Sequence, residues 1–417
     1  MTIKMLRYTH VLLIMLYFFL LPSIAIADKS LSMTIFVNSV WKTNPGILSA
    51  QSEIERANSQ FLQSRRPIYN PTFNIDGQKI QIENEFDTYT AGLSQTIDVF
   101  DKRGARTEVG ENGLAEARAS LANQKLNLAS AALRSIAEYR TAQAVVKLAT
   151  YRTDLLYKFK ELNERKFNEG DIPQDALDMA FLAYAQAISQ QADEEVLLEN
   201  ARQRLEVITG FSSTLWPRLP SKLPEPLKPS IVTKEQWVNT LPLIGIYNAR
   251  VAIARAAVRV AQTNAKADPT FSFRSGTEDK EFLIGGTLNV PLFVRNDFHD
   301  QVNASNYQEI AVEQTRMNVH RKVKASLQAT LSRYNILQQA AFHWNETYIH
   351  SLDLDGGVAL LNRLWEAGEM NTTTYIIQVK QHMDSQIAGA ELTGKAWSEW
   401  FSAMEASGQL NVWLTKK

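Results

Sequence analysis

Glu164 to Leu177, ERKFNEGDIPQDAL, stands between two long proline-free stretches of helical pattern and reads as a sharp reversal. The same punctuation returns 198 residues later (Gly170 to Gly368) in Asn362 to Tyr375, NRLWEAGEMNTTTY. Arg165 answers to Arg363, Phe167 to Trp365 and Gly170 to Gly368. Two reversals at one fixed offset mean a duplicated architecture, since recurrence at a constant period marks a repeated structural unit.

Working back from the first reversal, residues from about Ala105 to Phe167 contain no proline and carry an apolar stripe through Leu114, Leu121, Leu128, Tyr139 and Val146. A helix of that length extends roughly 95 Å at 1.5 Å per residue. A pattern this long points to a coiled-coil or repeat helix rather than part of a globular bundle. Forward of the reversal, a second helix is expected from Gln174 to Thr209, closed by Gly210. Upstream, Ser30 to about Arg66 reads as helix with a break at Asn44-Pro45, stopped by Pro67 and Pro71. From Thr72 the apolar period changes to two. Phe73, Ile75, Ile80 and Ile82, then Tyr89, Ala91, Leu93 and Ile97, predict a hairpin of two strands within about 72–98.

The second half repeats this order. Leu241-Pro242 answers to Asn44-Pro45, and Asp268-Pro269-Thr270-Phe271 answers to Asn70-Pro71-Thr72-Phe73. Strands are predicted at Thr270 to Ser275 and Phe282 to Pro291, followed by a long helix to Trp365 and a last one to about Leu410. The organisation is therefore a signal peptide at 1–27, a first repeat at 28–210, a proline-rich linker at 211–233, a second repeat at 234–410 and a tail at 411–417. The signal rests on Lys4 and Arg7 before an apolar run that ends in Ala25-Ile26-Ala27.

Composition narrows the function. The 44 basic and 44 acidic side chains become a net charge of −2 once Lys4 and Arg7 leave with the signal, so no nucleic-acid-binding face is expected. There are no cysteines, which removes disulfides, thiolate metal sites and a lipid-bearing N-terminal cysteine. Phosphate-loop, dinucleotide, nucleophile-elbow and zinc-protease motifs are absent. The expectation is a protein that is not an enzyme and uses no cofactor. Four strands cannot cross a membrane alone, because open edges leave unpaired backbone groups in hydrocarbon. Closed single-chain barrels begin at about 8 strands, so four per chain would require several copies. A soluble periplasmic coiled-coil scaffold is the reading without a barrel.

On these residues the chain resembles the TolC-type outer-membrane factors, the outer membrane efflux protein family. The resemblance rests on Asn44-Pro45, on Pro71 before the first strand, and on Leu93-Ser94-Gln95-Thr96-Ile97 before Lys102-Arg103. Leu288-Asn289-Val290-Pro291-Leu292-Phe293 in the second half and the Phe-x-x-Gly and Trp-x-x-Gly reversals complete it. It implies a mainly α fold with a small membrane β-barrel, 12-stranded in a homotrimer, on an α-helical periplasmic tunnel. The implied role is passive export of small solutes, in company with a periplasmic adaptor (membrane fusion) protein, an inner-membrane RND-type transporter and outer-membrane lipid. Leu292-Phe293 and the missing lipid cysteine resemble the CzcC-like metal-efflux branch. Type I protein secretion is the rival role within the same fold.

The resemblance also places the adaptor-contact tips at Phe167, Gly170, Asp171, Ile172, Trp365, Gly368, Glu369 and Met370, as exposed aromatic and acidic neighbours of each turn. Asp175 and Asp178, one turn apart, are candidate tunnel-mouth acids, while Thr372, Thr373 and Thr374 hold the corresponding place in the second copy. His343, Glu346 and His350 share a helix face at spacings that suit part of a metal site, with a solvated face as the stronger expectation.

Overall fold

The computed structural model describes residues 32–80, 86–211, 216–279, 281–351 and 354–415. The expected signal peptide and Ile82 lie outside them.

The first repeat opens with α1 (Met33–Thr43) and α2 (Pro45–Ser64), broken where expected. Pro45 takes the first helical position, where a missing N–H costs nothing. The Asn44 carboxamide accepts from Gly46 N at 2.9 Å and Ile47 N at 3.3 Å. Then come β1 (Thr72–Ile80), β2 (Phe86–Thr96), α3 (Lys102–Glu169) and α4 (Gln174–Thr209). The second repeat runs α5 (Ile231–Thr240), α6 (Pro242–Asn264), β3 (Thr270–Glu278), β4 (Glu281–Asn289), α7 (His299–Ser351), α8 (Leu354–Glu366) and α9 (Thr372–Ser407). Gly210 and Gly408, which close α4 and α9, stand at the same 198-residue offset and share the left-handed conformation, φ 73° and 69°.

Helix α3 has 68 residues, about 100 Å at 1.5 Å per residue. Its start is built by acids. Asp98 accepts from the Lys102 and Arg103 amides, both at 2.8 Å, and Asp101, itself at φ 57°, accepts from Gly104 N. A β-carbon on Gly104 would lie 2.3 Å from the Asp101 carboxylate, which is why glycine follows Lys102-Arg103. Ala129, Ala132, Ala137 and Ala149 are fully buried, so α4 and α9 approach the α3 backbone closely.

The four strands form one antiparallel sheet in the order β1-β2-β3-β4. The two hairpins are thus joined by β2 and β3, a pairing between the halves of the chain. Register gives the sheet an apolar and a polar face over most of its length. Phe73, Leu93 and Phe273 share one level, Ile75, Ala91 and Ile284 the next, and Tyr89 and Phe282 the third, all on one face. Ile75 and Phe282 are 75% and 73% exposed, so nothing among the described residues covers that face. The opposite face carries Asn74, Asp76, Thr90, Ser94, Ser272 and Thr287. Apolar-out, polar-in alternation over nine to eleven residues is the pattern of a membrane-spanning strand.

Several expectations need correction. Asp87 belongs to β2 rather than to the loop, and β3 continues past Ser275 to Glu278. The proline-rich linker packs against α3. Trp216 is buried edge-on against Tyr139 at 4.8 Å, and Arg140 donates to the carbonyls of Trp216 and Pro217 at 2.8 and 3.2 Å. The residues read as a tail form α10 (Leu410–Thr415), where Leu414 O accepts from Thr34 Oγ1 at 2.8 Å. Helix α1, the linker, α10 and the middle of the long helices share one core, a belt about the helical shaft. Among the described residues no single helix is long and apolar enough to cross a membrane.

Candidate functional site

Both reversals are built alike. Gly170 and Gly368 have φ 83° and 78°. Gly170 N donates to Phe167 O at 3.0 Å and Asp171 N to Lys166 O at 2.8 Å. Gly368 N donates to Trp365 O at 3.1 Å and Glu369 N to Leu364 O at 3.0 Å. This is a Schellman-type helix stop, which calls for glycine because other residues in the left-handed region are strained by about 1–2 kcal/mol. No atom lies within 4 Å of where a β-carbon would sit on either glycine. Backbone conformation alone therefore selects glycine there.

The two turns stand side by side. Thr372 Oγ1, at the start of α9, donates to Asn163 Oδ1, near the end of α3, at 3.4 Å. Between them lies a second core in which Phe159 of α3 stacks on Tyr375 of α9 at 4.4 Å and meets Trp365 of α8 at 4.6 Å. The Trp365 indole N–H points to Thr372 Oγ1 at 3.4 Å, and the Lys166 ammonium lies 4.3 Å from its ring centre. Burial pushes the Tyr375 hydroxyl above its ordinary range, so it stays a neutral donor to Asn362 Oδ1.

This placement corrects the expectation of exposed aromatics at the tips. Trp365 is 5% exposed and belongs to the packed interior. Phe167, Ile172 and Met370 are half-buried. Gly170, Asp171, Gly368 and Glu369 are exposed, so what each turn presents to solvent is glycine and acid. Phe159, Asn163 and Tyr375, which fix the two turns against each other, were not legible as tip residues. Phe159 and Asn163 sit well inside a helical pattern that gives no sign of its partner.

Asp175 and Asp178 are both exposed, on the side of α4 away from buried Leu177 and Ala180, and Gln174 Nε2 donates to Asp178 Oδ1 at 2.8 Å. Both stand near the N-terminal end of α4. Thr372 of the second copy is buried, so the two mouths differ in charge. His343 Nδ1 lies 3.8 Å from Glu346 Oε2 with both side chains well exposed, the solvated-face arrangement. The His350 side chain lies outside the described residues. Among the described residues no group of acids and histidines is placed to hold a metal ion.

The described residues thus form a four-stranded sheet with an uncovered apolar face and two open edges, carried on helices of up to about 100 Å. Comparison with known proteins agrees. Residues 37–211 match the outer membrane efflux protein family. The cobalt-zinc-cadmium resistance protein CzcC of Cupriavidus metallidurans is 25% identical over 259 residues, 61% of each chain. The chain thus spans about three-fifths of the length of that curated relative. Among solved structures, CusC superposes with a TM-score of 0.75 at 12% identity, covering 91% of this chain and 92% of the other. The outer-membrane channel OprN gives 0.76 at 13%, covering 90% of each. The chain shares the fold of CusC and OprN, and residues 37–211 match the outer membrane efflux protein family.

Proposed function

We propose that this protein is the outer-membrane duct of a tripartite efflux system, through which small solutes leave passively. The observation that carries it is the sheet, apolar on one face, polar on the other and open at β1 and β4. Closure requires further copies, and a homotrimer gives the 12-stranded barrel. The exposed acids and glycines of the reversals are then the surface offered to a periplasmic adaptor, with Phe167, Ile172 and Met370 partly behind them. Asp175 and Asp178 would raise cation concentration at the mouth. The driving energy comes from an inner-membrane RND-type transporter. Divalent metal cations are the first substrates to consider, given the relative named for cobalt, zinc and cadmium resistance.

Deletion of the gene should lower the zinc, cobalt and cadmium concentrations that the cell tolerates, and plasmid-borne protein should restore them. Unchanged metal tolerance with loss of a polypeptide from the medium would assign the duct to protein secretion instead. Recovery of the mature protein in the soluble periplasm would contradict a duct of any kind.

A further inference from the structure

The polar face of the sheet carries hydroxyls, amides, glycines, Leu283 and the acids Asp76, Glu278 and Glu281, with one cation among its described residues, Arg274 on β3. Arg274 is exposed, and its guanidinium makes no hydrogen bond or ion pair to another described residue. Its level reads Asn74, Gly92, Arg274, Gly285 from β1 to β4, so glycine stands on both sides of it. A β-carbon on Gly92 would lie 3.3 Å from Arg274 Cβ, and one on Gly285 would lie 3.1 Å from Arg274 Nε. The side chain therefore lies across Gly285, with its guanidinium carried over the open edge strand β4 and free to take an anion.

The acids of this face sit elsewhere. Asp76 is one level nearer the hairpin turns, and Glu278 and Glu281 face each other a further level on. At about 3.4 Å per residue those levels are roughly 7 and 14 Å from Arg274 along the strand. The Debye length in physiological salt is about 8 Å, so the glutamate pair is largely screened from the guanidinium. We propose that Arg274 forms an electropositive collar in the barrel lumen that binds polyanions bearing phosphate or carboxylate groups. The collar rests on the channel reading above: each copy supplies one guanidinium for every four strands, and closure of the barrel brings them into a ring. Guanidinium groups suit this ligand class because they bind phosphate and carboxylate oxygens in pairs.

The test uses the full mature protein reconstituted in planar bilayers, with inositol hexakisphosphate added on the hairpin-turn side. Single-channel current of the wild type and of Arg274→Lys should be blocked, and block of Arg274→Gln should need roughly tenfold more phytate. Arg274→Gln should still run as a heat-resistant oligomer, which separates loss of the collar from loss of the barrel. Conducting Arg274→Gln channels blocked at the wild-type phytate concentration would overturn the collar and leave the channel standing. Absence of any conductance from wild-type oligomer would overturn the channel reading and the collar with it.

Discussion

Gly276→Val should abolish the heat-resistant oligomer, whereas Gly286→Val should leave it intact. A β-carbon on Gly276 would lie 1.9 Å from the carbonyl oxygen of Tyr89 and 2.7 Å from Thr90 Cα. Those atoms are β2 backbone, which cannot swing aside as a side chain can. Ordinary overpacking costs about 1–3 kcal/mol. Here the obstruction falls on the strand pair that joins the two halves of the sheet, so the pairing itself must give way. On Gly286 the nearest atom to the added carbon is Ser272 O at 3.9 Å, ordinary contact on the apolar face. Comparing the two variants by unheated and heated gel electrophoresis of outer-membrane fractions separates backbone obstruction from a general cost of losing glycine.

Lys102→Met should lower the dissociation temperature of the oligomer more than any surface charge removal, and Lys102→Met with Asp268→Leu should recover most of the loss. Lys102 Nζ lies 2.9 Å from Asp268 Oδ2, with side-chain exposures of 10% and 2%. Tyr69 donates to the same oxygen at 2.8 Å. Burial, and then the hydrogen bond to that carboxylate, push Tyr69 up to about 12, so the phenol remains a donor. Asp268 Oδ1 has no hydrogen-bond partner among the described atoms. Removing the ammonium leaves a buried carboxylate held by one phenol, and breaking a buried pair in this way costs about 3–5 kcal/mol. Replacing both charges by apolar groups is often close to neutral. The pair ties the start of α3 to the residue before Pro269 and β3. Its loss should therefore loosen the joint between shaft and barrel rather than the reversals at the far end.

Much of this was legible in the chain. The 198-residue offset holds for Pro71 and Pro269, Thr72 and Thr270, Gly170 and Gly368, because each is a local necessity: a stop, a strand start, a left-handed turn. Local chemistry repeats faithfully when a unit is duplicated. What escaped was set by contacts distant in sequence. Gly276-Thr277-Glu278 looks like a turn after Ser275, yet Gly276 is there so that the β2 backbone can pass, and the strand runs on. Trp365 beside a turn looks exposed, but Phe159 and Tyr375 from other helices enclose it. Proline between Phe211 and Pro229 forbids helix without revealing that Trp216 anchors the segment on α3.

Closure of the barrel requires β4 of one copy to pair with β1 of the next. The native chain has no cysteine, so introduced pairs report without background. Phe73 or Ile75 on β1 would be combined with Ile284 or Leu288 on β4, all on the apolar face, and the four double-cysteine proteins oxidised in the membrane. Within one chain β1 and β4 are three strand spacings apart, about 14 Å at 4.8 Å each. That is beyond the ~7 Å Cα separation a disulfide allows. At least one pair should give a covalent ladder of dimer and trimer on a reducing-agent-free gel, ending at three chains. Monomer alone from all four pairs, with the same cysteines freely alkylated, would contradict a closed intermolecular barrel.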